Sequence, residues 1–290
     1  FGKEIFGWND KSGTRWKICL IPLGGYVKFF GDRNVFSQSE QNEIISQYSD
    51  KDRNKLFILK PLYQRSIIVA AGPLANFVLA IIIFLMINMF IGKNMTPAII
   101  DEVQAESPAQ ISGFEKNDKI FSINNNKVVS YTEVSTFINS STSETVKFTL
   151  IRNNEEIYLF VKPLLVDSTD ALGNKIKKKM IGIKLSPLEG SLNRERLGIV
   201  KATYYSFKEV WFVIITSLKY LGSMAVGEGD SSQLGGPIRI AKITGQVAEF
   251  GLIPYISIMA YISISLGLIN LFPIPMLDGG HLMFYFFEKI

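Results

Sequence analysis

Two long stretches of the chain are apolar and contain no charged residue, residues 67–92 and 250–277. As a helix, each is long enough to cross about 30 Å of hydrocarbon at about 1.5 Å per residue. A soluble buried helix rarely needs so long an uncharged run. We therefore predict two membrane-spanning helices, the first in segment 61–95 and the second in segment 250–290.

Two residues of the first apolar run are unusual for a membrane helix. Pro73 either lies in the first turn of a helix that ends at Gly92, or it kinks a longer helix. Asn76 is a polar amide that should face protein rather than lipid. A packing role between helices and a direct functional role are both open for Asn76.

Between the two apolar runs, segment 96–190 is polar with alternating apolar positions, which is typical of short strands. The predicted elements are strands at 98–100, 119–123, 145–151, 157–161 and 181–185, and a helix at 131–138. Clustered asparagines predict turns at 124–126 and 153–154. The pattern indicates a compact α+β domain with enough apolar residues for its own core.

The two remaining segments show shorter patterns. In segment 1–60, residues 16–21 and 26–30 predict two strands separated by Pro-Leu-Gly-Gly. Segment 191–249 predicts an amphipathic helix, interfacial or packed rather than a third span, and then a polar linker. The apolar positions of that helix are Phe207, Val210, Trp211, Ile214, Leu218 and Leu221.

Charge supports a membrane protein and gives its orientation. Charged residues make up 20% of the 290 residues, below the share of about 25% found in soluble domains. Five basic residues lie within 51–65, whereas only Lys93 follows the first apolar run before Lys116. Because basic residues near a span favour the cytoplasm, we place segment 1–60 on the cytoplasmic side and segment 96–190 outside. The chain should return to the cytoplasmic face after the second span.

The chain ends its second apolar run in a chemically unusual motif, which contains Asn270, Pro273, Pro275 and Asp278. Prolines lack an N–H group and force an extended backbone. Irregular backbone at membrane depth is tolerated only beside a protein-enclosed or water-filled cavity. A carboxylate beside such a cavity is a functional candidate. From these residues alone, an ordinary turn at Asp278-Gly279 is an equal alternative.

The motif Asn-x-x-Pro-x-Pro-x-Leu-Asp-Gly at 270–279 resembles the second signature of the site-two protease family of intramembrane zinc metalloproteases. It is most similar to that of the bacterial regulator-of-sigma-E proteases. Further matching motifs follow the family order: Ile-Pro-Leu-Gly-Gly-Tyr-Val-Lys at 21–28, Ala-Gly-Pro-Leu-Ala-Asn-Phe at 71–77 and Gly-Pro-Ile at 236–238. Residues 107–120 resemble the start of a bacterial PDZ domain. The resemblance covers nearly the whole chain.

The resemblance implies a site, a cofactor and partners. Asp278 would be the third protein ligand of a catalytic zinc, and segment 96–190 would be a PDZ-like domain that binds a peptide C-terminus or segment. The implied substrate-binding residues are Gly24, Gly25, Asn270, Pro273 and Pro275. The two glycines would lie in a membrane-associated β-loop that pairs with an unwound substrate, although a tight turn without a partner is the alternative.

By the same resemblance, the protein would be a multi-pass protein of the bacterial inner membrane. Its partners would be the lipid bilayer and single-span membrane substrates, either anti-sigma factors or remnant signal peptides. The fold class predicted is an α-helical integral membrane protein with a membrane-associated β-loop and an inserted α+β PDZ-like domain.

The chain departs from the family at the metal. The family's first signature, His-Glu-x-x-His, supplies two zinc ligands and the glutamate that activates water. The only histidine is His281, which lies in no such motif. The roles of His281 and of the one cysteine, Cys19, stay open. We expect either a fragment that is inactive alone or the product of a degraded gene. A non-catalytic PDZ-bearing scaffold or pseudoenzyme is the alternative function.

Other chemistries find no support in the sequence. There is no Gly-x-Ser-x-Gly motif for a serine nucleophile and no glycine-rich phosphate-binding loop. Four lysines lie within residues 175–179. On the assigned outer side of the membrane they predict a solvated loop, and we expect no nucleic-acid partner.

Overall fold

In the computed structural model the chain forms two compact units. The first unit comprises Phe1–Ala70 together with His281–Ile290, and the second comprises Ala71–Gly280. The residues it describes are 3–11, 13–20, 56–169, 175–185, 193–227 and 236–289. Several predictions fall outside this part of the chain: Gly24, Gly25, the strand at 26–30 and the linker at 228–233.

Helices form both predicted apolar segments and several others. The helices are α1 (Leu62–Met86), α2 (Pro108–Ile111), α3 (Tyr131–Ser140), α4 (Ile199–Ala225), α5 (Pro237–Glu249), α6 (Leu252–Asn270) and α7 (Asp278–Lys289). In the described part of the chain, two helical stretches are long and apolar enough to cross a membrane, Leu62–Ile91 and Leu252–Asn270. They coincide with the two uncharged runs of the sequence.

Most of the strands belong to the segment between these two helices. The strands are β1 (Glu4–Asn9), β2 (Arg15–Cys19), β3 (Lys93–Asn94), β4 (Ile100–Val103), β5 (Lys119–Ile123), β6 (Asn126–Lys127), β7 (Val146–Arg152), β8 (Glu155–Val161), β9 (Leu164–Thr169), β10 (Lys175–Met180), β11 (Ile183–Leu185) and β12 (Arg194–Glu195). The fold is thus a mixture of helix and sheet.

In the first unit, a hairpin lies at the start of the described chain. β1 and β2 pair antiparallel, and the rings of Trp8 and Trp16 stack with their centroids 6.0 Å apart. The sequence predicted a strand at 16–21 but not β1, because Glu4–Asn9 mixes polar and apolar residues without a turn motif on its N-terminal side. Cys19 ends β2 as a half-exposed free thiol.

The first unit also joins the beginning of α1 to the end of α7. Arg65 donates to a carboxylate oxygen of Glu288 at 2.6 Å, and its guanidinium lies 4.9 Å from the centre of the Tyr285 ring. The Arg65 side chain is 16% exposed but that of Glu288 is 52% exposed, so water screens this pair on its carboxylate side.

Pro73 lies inside α1, so the alternative in which it begins a helix is wrong and the longer helix is correct. After Met86 the helix widens into a π-helical turn, Ile87–Ile91. Gly92 then ends it with φ +91°. A side chain at this glycine would collide with the backbone of Glu195, so only glycine fits.

In the second unit, α1 and α6 pack antiparallel through small residues. Contacts pair Phe84 with Tyr261 and, further along, the carbonyl of Asn76 with the hydroxyl of Ser263 at 2.9 Å. At Gly267 a methyl group would lie 3.0 Å from the Pro73 carbonyl oxygen. Small residues allow this close approach, as is common between membrane helices.

The α+β domain, residues 96–185, has its own core. Its antiparallel sheet has the order β6-β5-β7-β8, and β4 pairs with β11 in a second sheet. Phe148 is fully buried and meets the ring of Phe114 edge-on at 5.1 Å. The helix and the β7–β8 hairpin predicted here are confirmed. Asn153 and Asn154 have the positive φ angles that a two-residue hairpin turn requires.

A buried ion pair stabilises the α+β domain. Asp118 is 1% exposed, and its two carboxylate oxygens accept bonds from Arg152 at 2.7 and 2.8 Å. The same guanidinium bonds the Gly113 carbonyl at 2.7 Å and Glu115 at 2.5 Å. Hydrogen bonding to Asp118 is the main cause that raises the pKa of Arg152.

Replacing Arg152 with Met is expected to destabilise the α+β domain by about 3 kcal/mol, because Asp118 would keep a buried and unpaired charge. Hydrogen exchange at the amides of β7, followed by mass spectrometry, measures the effect. Lys162→Met is the control, since Lys162 and Glu144 form an exposed pair. Equal effects of the two changes would contradict this role for Arg152.

Several sequence-based expectations need correction. The predicted loop at 175–179 is wrong: these lysines lie in β10, which pairs with β9 along its whole length. The strand was missed because its sequence, Lys-Ile-Lys-Lys-Lys-Met, contains only two apolar residues and no regular alternation. The strands predicted at 98–100 and 181–185 begin later, at Ile100 and Ile183. Helices α5 and α7 were not predicted.

The predicted amphipathic helix is longer than its apolar pattern. α4 begins at Ile199, and it buries a narrow face of small residues that includes Ala202, Ser206 and Val210. Phe207 and Trp211, which belong to the predicted apolar stripe, are exposed. Helical spacing predicted the element and part of its packed face. Val210 and Ile214 of the predicted stripe pack in the cluster with Phe84 and Ile264, whereas Phe212, which lies outside the stripe, meets the ring of Phe137 at 5.3 Å.

Candidate metal-ligand site between the two apolar helices

The candidate site is the loop that joins α6 to α7. α6 ends at Asn270, and α7 begins at Asp278. Between them the Ile274 amide donates to the Phe272 carbonyl at 2.7 Å, and the Leu277 amide donates to the Ile274 carbonyl at 3.1 Å. The loop is therefore a compact series of turns rather than an extended segment.

Proline and strained backbone shape this loop. Pro273 and Pro275 supply no N–H donor, so neither can continue α6. Met276 has φ +78°, which is unfavourable for a residue with a side chain. Its side chain is 78% exposed, so internal packing does not explain the strain. Strained backbone of this kind is concentrated at functional sites.

Two glycines let the first turn of α7 pack against the loop. A Cβ atom at Gly279 would overlap the carbonyl oxygens of Leu271 and Phe272, and one at Gly280 would overlap that of Ile274. Both glycines are buried. The backbone contact fixes where α7 begins, and so it fixes the position of Asp278.

The Asp278 carboxylate lies beside α1. A methyl group at Gly72 would be 3.4 Å from Asp278 Oδ2, which is an ordinary contact distance. Asp278 is half-buried, and it occupies the first turn of α7, where a negative charge is favourable. The structure therefore places this carboxylate beside the interior of α1, after the loop that follows α6, and not fully in bulk solvent.

The other predicted site residues are only partly brought together. Asn270 is half-buried at the end of α6, whereas Pro273 and Pro275 are exposed on the loop. Gly24 and Gly25 lie outside the described residues. Their roles in substrate binding stay predictions.

Whether a zinc ion could bind at this loop depends on the ligand atoms that the described residues supply. A carboxylate oxygen is a normal zinc ligand at about 2.0–2.2 Å, but a catalytic zinc needs about three protein ligands. In the part of the chain that the structure describes, no group of three or more His, Cys, Asp or Glu residues could hold a metal. Asp278 thus fits as one ligand of a set, and not as a complete site.

The whole chain resembles one peptidase family. The profile of Peptidase family M50 matches residues 1–290. The chain belongs to peptidase family M50. A relative named "Putative zinc metalloprotease mll0638", from Mesorhizobium japonicum, is 37% identical over 100% of this chain and 79% of its own length. Metalloprotease MmpA from Caulobacter vibrioides is 33% identical over 100% of this chain and 77% of its own length.

These relatives confirm the predicted family and identify zinc as the metal of M50 peptidases. Family membership and the relatives' names support a zinc metalloprotease. A crystal structure of the PDZ domain of an SdrC-like protein from Listeria monocytogenes covers 31% of this chain and 87% of its own length. Its identity is 23% and its TM-score is 0.25, a similarity too low to support an argument about the fold.

The sequence did not assign a role to three residues that shape the candidate site. Gly267 allows the close approach of α1 and α6, since a Cβ atom there would lie 3.0 Å from the Pro73 carbonyl oxygen, and Gly72 is the position on α1 that Asp278 contacts. Both interrupt apolar runs, and a small residue within a membrane-length helix indicates close packing. Met276 carried no such signal, because its positive φ depends on the surrounding turn.

Proposed function

We propose that the protein is an intramembrane zinc metalloendopeptidase that cuts membrane-spanning substrates near the cytoplasmic face. Asp278 would supply one carboxylate ligand to the zinc. The observation that carries this proposal is the half-buried Asp278 carboxylate, which lies against Gly72 of α1 at the end of the second apolar helix. Membership of family M50 supports it.

The chain's own residues would position the metal ligand and the substrate. Gly279 and Gly280 set the start of α7 and hence the direction of the Asp278 carboxylate. Asn270 and the exposed Pro273 and Pro275 would shape the cleft for an unwound substrate segment. When bound, zinc would lower the pKa of a water molecule and so supply the nucleophile.

Membrane placement is part of this proposal. Leu62–Ile91 and Leu252–Asn270 have the length and hydropathy of membrane spans. The basic residues that precede the first one favour a cytoplasmic start, and bacterial M50 relatives favour the inner membrane. With that orientation, the start of α1, Gly72 and Asp278 would lie nearer the cytoplasmic side.

The α+β domain would lie on the outer side and select substrates as a PDZ-like domain. It is joined to the end of the first span through β3 and to α4 through β12, and these two short strands pair with each other. Such a position would allow it to bind a peptide C-terminus or segment of a single-span substrate before cleavage.

The test is cleavage of a single-span substrate by the full-length gene product in proteoliposomes. We expect cleavage sites, mapped by mass spectrometry, within the substrate's membrane segment. Removal of zinc with a chelator should stop cleavage, and added zinc should restore it. Peptide binding by the α+β domain without any cleavage would instead support a non-catalytic scaffold, and cleavage that is insensitive to zinc removal would refute the proposed chemistry.

A further inference from the structure

A cavity of about 550 Å³ lies in the second unit, away from the Asp278 loop. It is formed by the end of α1, the π-helical turn, α3, α4 and α6. Its lining extends along the first apolar helix from Phe84 to Gly92, a rise of about 12 Å at about 1.5 Å per residue. The volume is within the range of small-molecule pockets.

The lining combines two kinds of side chain, called here its apolar part and its polar part. Aromatic and aliphatic side chains form one part: Phe84, Ile87, Phe137, Trp211, Phe212 and Ile215. Amides and hydroxyls form the other: Asn94, Asn126, Ser130, Thr132 and Thr136. A ligand that fills both parts must be amphiphilic. A bilayer lipid has this character, and it is present wherever a membrane helix ends.

Four charged side chains line the cavity, and two of them form an ion pair with each other. Lys93 and Glu133 form an ion pair at 3.1 Å, and their side chains are only 17% and 22% exposed. The Lys93 ammonium also lies 5.2 Å from the centre of the Tyr205 ring. This pair contributes no net charge, and it ties the end of the first apolar helix to α3.

The other two charges are neighbours on α4. Glu209 accepts a hydrogen bond from the Tyr261 hydroxyl at 3.0 Å, and it forms no salt bridge with any of the described residues. Lys208 forms no salt bridge in the part of the chain that the structure describes. Both side chains line the cavity and are half-buried. The cavity thus offers one cation and one anion, beside neutral polar groups and an apolar surface.

We propose that this cavity binds a zwitterionic phospholipid of the bilayer. Lys208 pairs with its phosphate, Glu209 pairs with its ammonium group, and the aromatic part of the lining contacts the beginning of an acyl chain. An anionic lipid would pair with Lys208 but would leave Glu209 opposite a negative charge. The inference rests on the proposed membrane placement of α1 and α6, and it assigns a ligand that has no part in the zinc chemistry.

The experiment titrates the delipidated full-length gene product with phosphatidylethanolamine and phosphatidylglycerol of the same acyl chains. Native mass spectrometry counts the bound lipids. We expect phosphatidylethanolamine to bind about tenfold more tightly, a difference that corresponds to one favourable ionic contact. Soluble glycerophosphoethanolamine should bind far more weakly, because it lacks the acyl chains that contact the apolar part.

Variants locate the binding. Glu209→Gln should remove the tenfold preference, because Glu209 is the group that distinguishes the two headgroups. Lys208→Ala should weaken the binding of both lipids, because both carry a phosphate. Lys219→Ala, an exposed lysine on the same helix outside the lining, should change neither the affinity nor the preference. Ile215→Trp should exclude the lipid by filling the apolar part without changing any charge. Circular dichroism checks that each variant is folded.

Equal binding of the two lipids, a preference for phosphatidylglycerol, an unchanged preference in Glu209→Gln, or unchanged affinity for both lipids in Lys208→Ala would overturn the inference. Equally tight binding of glycerophosphoethanolamine would assign a soluble ligand instead. Lipid binding is measured without any substrate. The lipid-binding result can therefore be interpreted even if the protein proves not to be a protease. If the protein does not partition into membranes, the proposed membrane placement of α1 and α6 is wrong, and with it the lipid-binding inference.

Discussion

Replacing Asp278 with Asn is expected to lower the cleavage rate of the full-length gene product by about a thousandfold or more. The amide that replaces the carboxylate is neutral and is a much weaker zinc ligand, and a loss of this size corresponds to about 4 kcal/mol of transition-state stabilisation. The change is nearly isosteric, so the loop between α6 and α7 should keep its structure. Single-turnover cleavage of a membrane-embedded substrate measures the effect.

The matched control is Asp101→Asn. Asp101 lies in β4 with a side chain that is 42% exposed and 3.5 Å from Lys116. The same chemical change there should leave the cleavage rate close to that of the unaltered protein. Activity that survives Asp278→Asn, or an equal loss in both variants, would remove Asp278 from the metal site.

Gly279→Ala is expected to abolish cleavage for a different reason. The added methyl group would overlap the carbonyl oxygens of Leu271 and Phe272, which are backbone atoms and cannot move aside cheaply. We expect a loss of about 3 kcal/mol in local stability, as is typical of an overpacked site, together with displacement of Asp278. Hydrogen exchange in α7 and the cleavage rate report the two effects separately.

Gly245→Ala provides the control for this prediction. Gly245 lies inside α5, and a methyl group there would meet nothing within 4 Å. Alanine is a better helix former than glycine, so this change should preserve or slightly raise stability. A Gly279→Ala variant that behaves like Gly245→Ala would show that the close contact between α7 and the loop is unimportant.

The sequence predicts the elements that have strong local patterns. Both apolar helices follow from uncharged runs longer than a soluble domain needs, and β5 and the β7–β8 hairpin follow from alternation and from the asparagine turn. Pro73 was ambiguous because proline is tolerated at the start of a helix and within a long apolar one. Only packing against α6 decides between the two.

The missed elements have patterns that local rules misinterpret. β10 is rich in lysine and resembles a solvated loop, but its pairing with β9 makes it a strand. β1 pairs with β2 across a short turn, and this pairing outweighs the weak preference of Glu4–Asn9. α7 begins at an Asp-Gly-Gly sequence that locally predicts a turn. Its backbone contact with the preceding loop, rather than its composition, allows the helix to begin there.

The sequence predicted which side chain of the candidate site could bind a metal, but it did not predict which residues surround that side chain. Asp278 was identified because a carboxylate near membrane depth is costly, and the resemblance then gave it a role. The contact with Gly72 joins residues that are far apart in sequence, so no local pattern contains it. For the same reason, the amphiphilic cavity around Lys208 and Glu209 is visible only after α1, α3, α4 and α6 are packed together.

If Asp278 is a zinc ligand beside α1, the metal should be visible by anomalous diffraction. Crystals of the full-length gene product can be measured on both sides of the zinc absorption edge. We expect an anomalous peak at about 2.0–2.2 Å from an Asp278 carboxylate oxygen. A zinc ion bound without Asp278, or an Asp278 carboxylate directed into bulk solvent, would contradict this role for Asp278.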